Sequence, residues 1–265
     1  MDLAGKRIIL TGAAGGIGQA FAARLAAAGA QLLLVSRSED TLQALRERLP
    51  GSGHQVVAVD LATAAGRAAL VAAAGAAVDG LVNNAGVSFF GLLGDQTEEQ
   101  LRQTLELNLL VPMLLVRDLL PALQARGGTI VNVGSAFGSI GFPGFAAYSS
   151  SKFGLRGFTE ALRRELAGSE VEVKYLAPRA TATQMNSAAV QAMNNELGTA
   201  MDPPERVAAE LMALLARGNG VRFVGWPERL FIKLNSVLPA VVDKALLGQL
   251  PVVRRHALAD ASARE

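Results

Sequence analysis

The chain of 265 residues contains no cysteine. Disulfides and thiolate metal sites are therefore excluded, and nothing indicates an export compartment. Histidine is nearly as scarce: His54 and His256 are the only two, far apart and outside any ligand-like spacing, so they are expected to be surface residues and no metal is expected. No uninterrupted apolar run approaches the ~20 residues needed to cross a bilayer. The amino end enters an apolar strand almost at once, which leaves no room for a signal peptide, and the expected location is cytoplasmic. Net charge is only +2, with both signs mixed along the chain. That balance gives no nucleic-acid footprint. There is no internal repeat and no low-complexity linker. What is present is a regular alternation of apolar runs and helical segments to about residue 225. It predicts one α/β domain over residues 1–225, a doubly wound parallel sheet with helices on both faces, and a helical extension over 226–265.

The first such unit is the most structured. Arg7-Ile8-Ile9-Leu10 reads as a strand, Thr11 to Gly18 as a glycine loop, the alanine-rich stretch from Gln19 to Gly29 as a helix, and Gln31 to Val35 as the next strand. Gly12 permits the tight turn off the strand. Gly16 and Gly18 let the backbone amides of the helix start, Ile17 among them, come close to a pyrophosphate, where the helix dipole also favours negative charge. The spacing is G-x-x-x-G-x-G, a variant of the commoner dinucleotide fingerprint.

Further along, Thr129 to Val133 forms a strand that delivers Ser135 at its carboxyl end, where open parallel sheets place ligand chemistry. Tyr148 and Lys152 are then spaced i, i+4, so a helix puts a phenol and an ammonium on one face. A neighbouring cation favours phenolate, which would move the tyrosine toward the range useful for proton transfer.

Taken together, Thr11 to Gly18, Asn83-Asn84-Ala85-Gly86, Asn108, Ser135 and Tyr148 with Lys152 resemble the classical short-chain dehydrogenases/reductases in order and spacing, over about residues 5–225. The resemblance implies a Rossmann-type fold and a nicotinamide cofactor. It implies that Tyr148 is acid for ketone reduction and base for alcohol oxidation, and that Ser135 holds the substrate oxygen. Lys152 would lower the phenol's pKa and hold the nicotinamide ribose, and Asn108, in a helix from Leu101 to Leu110, would hold a relay water. It assigns Asp60 and the Leu61 amide to the adenine edge, a helix-capping role for Asp60 being the competing reading. Asn83 and Gly86 would line the cofactor channel, with Ala85 small enough to let the backbone approach, and Pro178, Thr181 and Thr183 would meet the nicotinamide. A homodimer or homotetramer is implied as well.

Cofactor choice is read after the second strand, where a carboxylate favours NAD and an arginine accommodates a 2′-phosphate. Here Ser36-Arg37-Ser38 follows, and Glu39 and Asp40 come late enough to open the next helix. NADP(H) is therefore expected over NAD(H), incompletely, because Ala13 and Ala14 occupy the loop positions where many NADP-using relatives carry a basic residue. One departure is Arg179, which replaces a usual glycine. It is expected to point to solvent, or alternatively to reach an acidic substrate group or a cofactor phosphate, and a positive φ there would be strained.

Apolar loops at Val87 to Phe90 and Ser139 to Phe145, with a lid of residues 184–201, predict a hydrophobic carbonyl substrate. Beyond residue 225, apolar residues at helical spacing with basic ones between them predict amphipathic helices. These suit packing over the pocket or against a neighbouring subunit, or contact with a lipid surface. The expected activity is NADPH-dependent reduction of a hydrophobic ketone or aldehyde. Alcohol oxidation, a non-catalytic dinucleotide-binding regulator and a lipid-surface scaffold are the alternatives.

Overall fold

The computed structural model describes residues 2–262. Seven parallel strands lie in the order β3-β2-β1-β4-β5-β6-β7. They are β1 (Arg7–Thr11), β2 (Gln31–Ser36), β3 (Gln55–Ala58), β4 (Gly80–Asn83), β5 (Thr129–Val133), β6 (Glu172–Ala177) and β7 (Gly220–Phe223). The central strands are continuous apolar runs because both faces are covered by helices. One buried layer joins α1 (Gly16–Ala27), α2 (Glu39–Arg48) and α8 (Pro204–Leu215) to the sheet through residues such as Phe21, Leu42 and Leu211. The opposite layer joins α3 (Ala64–Ala74), α5 (Val111–Ala125) and α6 (Ala146–Glu165) through Leu70, Leu115 and Leu162. This is the doubly wound architecture expected from the alternation of strand and helix signals.

The chain runs outward from β1 to β2 and β3, then returns to place β4 on the other side of β1. The strand order therefore reverses between β1 and β4. Loops leaving the carboxyl ends of those two strands splay apart and open a crevice, the place where such sheets bind ligands.

Four further helices complete the chain: α4 (Glu98–Leu105), α7 (Ala188–Glu196), α9 (Trp226–Val237) and α10 (Pro239–Ser262). The lid expected over 184–201 carries α7, and α10 packs along it. Val253 and Ala257 of α10 are buried with Val190 and Met193 of α7 and with Phe90 and Phe145. Across the outer edge, His256 meets Glu196 at 2.8 Å. That pairing ties the histidine to the lid helix, where the sequence reading had it as a plain surface residue. The extension therefore covers the lid with α10. By contrast α9 keeps an exposed apolar face, with Trp226 at 70% and Val237 at 75% exposure. Residues 263–265, the end of the predicted extension, lie outside the described residues. Among the described residues no helix is long and apolar enough to cross a membrane.

Candidate active site

The crevice is one continuous cavity of about 510 Å³ running from the glycine loop to the lid. At its first end stands the amino terminus of α1. No side chain caps α1, as is also true of α5, α6, α8 and α9, but only α1 opens on a run of glycines, Gly15, Gly16 and Gly18, that line the cavity. The backbone of that first turn faces the cavity with no side chain in front of it, the arrangement in which a helix start can receive an anion. Gly12 has φ 65°, and a Cβ there would lie 2.8 Å from the Ala85 Cα. Only glycine lets the loop turn so close against the segment after β4.

That segment is fastened to β1 by hydrogen bonds. Thr11 Oγ1 accepts from the Asn84 and Ala85 amides at 2.9 and 3.0 Å, and Asn84 Nδ2 donates to the carbonyls of Thr11 and Gly12. Gly12, Gly16, Ile17, Gly18, Ser36, Arg37, Asp60, Leu61, Ala85 and Gly86 all line the cavity. Asp60 does not cap α3. That position is held by Thr63, and Asp60 instead accepts from the Ala62 amide at 3.0 Å. Glu39 and Asp40 occupy the first turn of α2, as the sequence reading had them.

Asn83 does not line the cavity, although the resemblance implied that it would; it is buried, and its Nδ2 donates to Asn132 Oδ1 at 2.9 Å, pinning the central strands as the sequence reading of the asparagine amides had it. Asn83 and Asn132 are register partners in β4 and β5, so the amide nitrogen is committed inside the sheet, and Asn132 Nδ2 donates onward to Thr159 Oγ1 at 2.9 Å. The next residue, Asn84, reaches the cleft wall instead.

At the other end, α6 brings Tyr148 and Lys152 to one face, with the Lys152 Nζ 5.6 Å from the phenol ring centroid. Lys152 Nζ donates to the Val133 carbonyl at 3.0 Å, which ties α6 to the end of β5. Ser135 lies just beyond that strand, lining the cavity together with Tyr148, and its Oγ accepts from the Phe137 amide at 3.1 Å. Burial raises the Tyr148 phenol above its ordinary value near 10, and the nearby Ser135 hydroxyl opposes this only in part. Burial also pulls the Lys152 ammonium down to about 8. The downward tuning of the phenol expected from the i, i+4 spacing is thus outweighed here by desolvation. The phenol stays protonated across the neutral range.

Asn108 lies in a single π-helical turn, Glu106–Leu110, between α4 and α5, where an unbroken helix was expected. Such turns recur where a helix must redirect a side chain. Its Oδ1 accepts from the Val87 amide at 2.8 Å, and its Nδ2 donates to the Val87 carbonyl at 2.9 Å and to Ser151 Oγ at 3.1 Å. Ser151 in turn donates to the Tyr148 carbonyl at 2.7 Å. The amide therefore stands behind the cleft and locks the loop after β4 to the turn of α6 that bears the phenol. A Cβ on Gly86 would lie 2.9 Å from Asn108 Oδ1 and 3.8 Å from Lys152 Nζ, so Gly86 separates the two by a bare backbone. Ser151 was missed from sequence, although its place one turn beyond Tyr148 was a usable signal.

Pro178, Thr181 and Thr183 line the same end. Arg179 overturns its expectation: its side chain is only 12% exposed and is paired with Asp202 and Glu228. None of the described non-glycine residues has positive φ, so the feared strain is absent. Beyond Tyr148 the wall becomes apolar. Phe137 and Phe142 stack at 4.9 Å, Phe145 meets Tyr148 at 6.3 Å, and Val190 and Met193 close the far side from the lid.

A family model described as short chain dehydrogenase matches residues 6–194. The chain belongs to the short-chain dehydrogenase/reductase family. Dehydrogenase/reductase SDR family member 7B of Mus musculus is 35% identical over 201 residues, a stretch covering 72% of this chain and 62% of that protein. The 3-oxoacyl-acyl-carrier-protein reductase FabG of Escherichia coli K12 is 35% identical over 191 residues, 71% of this chain and 78% of that one. Among solved structures, a short-chain dehydrogenase/reductase from Burkholderia phymatum in complex with NAD superposes with a TM-score of 0.80 at 25% identity, covering 89% of this chain and 94% of that one. The family match covers the glycine loop, the serine and the tyrosine–lysine pair, and it ends within α7.

Proposed function

We propose that this short-chain dehydrogenase/reductase is an NADP(H)-dependent oxidoreductase that reduces a hydrophobic ketone or aldehyde. The observation carrying the reading is one cavity with three features in sequence along it: the glycine-lined start of α1, a buried phenol lining the cleft together with Ser135 and Lys152, and an aromatic wall. The donor set fits a dinucleotide. The amides of Gly16, Ile17 and Gly18 would hold the pyrophosphate and Asp60 with Leu61 the adenine. Ala85 and Gly86 pass close to the adenosine side, Lys152 would hold the nicotinamide ribose, and Pro178, Thr181 and Thr183 would meet the nicotinamide amide. Ser36 and Arg37, with no carboxylate beside them, would take a 2′-phosphate.

When bound, the cofactor supplies the hydride. The chain's own residues do the rest. Ser135 orients the carbonyl oxygen with a hydrogen bond, and Tyr148 gives that oxygen a proton as negative charge develops on it. Lys152, as an ammonium, stabilises the phenolate left behind, and Asn108 fixes the turn of α6 that carries both. The reverse reaction, alcohol oxidation, uses the same groups with Tyr148 as base.

The apolar wall selects a bulky, uncharged carbonyl compound, because burying a charged substrate group against Phe137, Phe142 and Phe145 would leave it unpaired. Exposed Leu105, Leu110, Met113 and Phe153 on the α4–α6 side offer a surface for self-association as a dimer or tetramer. The exposed Trp226 and Leu230 of α9, next to Arg229 and Lys233, suit an anionic lipid surface. The test of the whole reading is a panel of aromatic, acyl and steroid-like ketones assayed for oxidation of NADPH and of NADH at equal concentration. Turnover of bulky apolar ketones with NADPH supports it. Absence of turnover across the panel with both cofactors rejects it.

A further inference from the structure

Arg179 occupies a position where the family resemblance leads one to expect glycine, and its surroundings are unusual. Its Nε and Nη2 donate to the two carboxylate oxygens of Asp202 at 2.9 and 2.7 Å, and its Nη1 donates to both oxygens of Glu228 at 3.2 Å. Asp202 is 2% exposed and also accepts from Arg206 Nη1 at 2.9 Å. The two guanidiniums balance the two carboxylates. The Arg179 guanidinium is committed to protein carboxylates rather than to solvent.

The network joins three segments. At the base of the lid, the Asp202 amide donates to the Ala180 carbonyl at 2.8 Å and the Ala182 amide donates to the Asp202 carbonyl at 2.9 Å, closing residues 183–201 into a loop. That loop supplies Met185, Val190 and Met193 to the cavity wall. Glu228 stands in the first turn of α9 and lines the same cavity. From α9 the chain continues into α10, which lies on α7. The lid is thus held at its root by Asp202 and along its back by α10, and Arg179 bonds to Asp202 at that root and to Glu228 at the start of α9, the helix that leads into α10. A bidentate arginine–carboxylate pair fixes orientation as well as distance, and removing one member of a buried pair is far costlier than the pair is worth.

We propose that Arg179 is a positioning residue: its bonds to Asp202 and Glu228 clasp the lid and the C-terminal extension together over the carbonyl-binding end of the cleft, so that selectivity for a bulky apolar substrate depends on the extension. The kinetic part rests on the oxidoreductase reading; the structural part does not.

Glu228→Gln keeps the side-chain shape and removes one charge of the clasp, whereas Arg179→Gln leaves Asp202 with Arg206 alone and risks misfolding. Amide hydrogen exchange in Glu228→Gln is expected to accelerate about tenfold across 183–201 and α9, the effect of one lost charge-assisted bond, while the central strands stay unchanged. KM for a bulky aromatic ketone is expected to rise about tenfold, and more than KM for a small aliphatic ketone. Exchange that is unchanged in both segments, or accelerated equally throughout the sheet, overturns the clasp. Faster exchange with equal KM changes for both ketones overturns the selectivity role. If Tyr148→Phe keeps its turnover, the oxidoreductase reading falls while the exchange result still decides the clasp.

Discussion

Replacing Arg37 by alanine isolates the residue assigned to cofactor choice. Arg37 is exposed beside half-buried Ser36 at the end of β2, and both line the cleft. The nearest carboxylates along the chain, Glu39 and Asp40, are in the first turn of α2 behind its Ser38 cap, so an incoming phosphate meets no acidic side chain within residues 36–38. A hydrogen bond to a charged group is worth about 1.5–3 kcal/mol. Solvent around an exposed guanidinium reduces that to ~1–2 kcal/mol. With 1.36 kcal/mol per factor of ten, Arg37→Ala should lower kcat/KM for NADPH by roughly 5- to 30-fold. NADH has no phosphate at that position, so its kcat/KM should move by less than about twofold. Steady-state kinetics with each reduced cofactor, at fixed saturating ketone, read both numbers. An equal fall with the two cofactors, or no fall with NADPH, would refute the assignment and place Arg37 among ordinary solvated side chains.

Two other expectations follow from the geometry. Lys152 loses its charge as pH rises through about 8, whereas burial keeps Tyr148 protonated beyond its ordinary value near 10. The kcat/KM for ketone reduction should therefore be level through neutral pH and decline above about 8, and a profile still level well beyond that value contradicts the role given to the ammonium. For the exposed face of α9, the unaltered protein is expected to cosediment with phosphatidylserine-containing vesicles and Trp226→Ser/Leu230→Ser to lose that; an unaltered protein that stays in the supernatant removes the lipid-surface reading.

The features that were legible in the sequence are local ones. The glycine loop between β1 and α1, the serine at the end of β5 and the i, i+4 spacing of Tyr148 and Lys152 are each written within a few residues, and the strand signals gave the sheet directly. What escaped depends on contacts between distant segments. Arg179 finds Asp202 23 positions away and Glu228 49 positions away, pairings that no local pattern announces. Neighbouring strand residues face opposite ways. The Asn83-Asn84 pair was read as pinning the central strand, which Asn83 does through Asn132, but the sequence did not say that Asn84 rather than Asn83 would meet the cleft. The spacing of Tyr148 and Lys152 put the cation near the phenol but was silent on burial, and burial sets the direction of both titrations. The π-helical turn at Asn108 is likewise a packing outcome, since Glu106 to Leu110 reads as ordinary helix.

The most direct test of the account is Tyr148→Phe, which removes one hydroxyl and leaves the ring against Phe137 and Phe145. NADPH binding, followed by cofactor fluorescence, should be nearly unchanged, while turnover of the ketone falls by roughly 10²–10⁴-fold, the contribution of a positioned general acid. A variant that binds NADPH and still reduces the ketone at a substantial rate would contradict the central claim that this phenol delivers the proton.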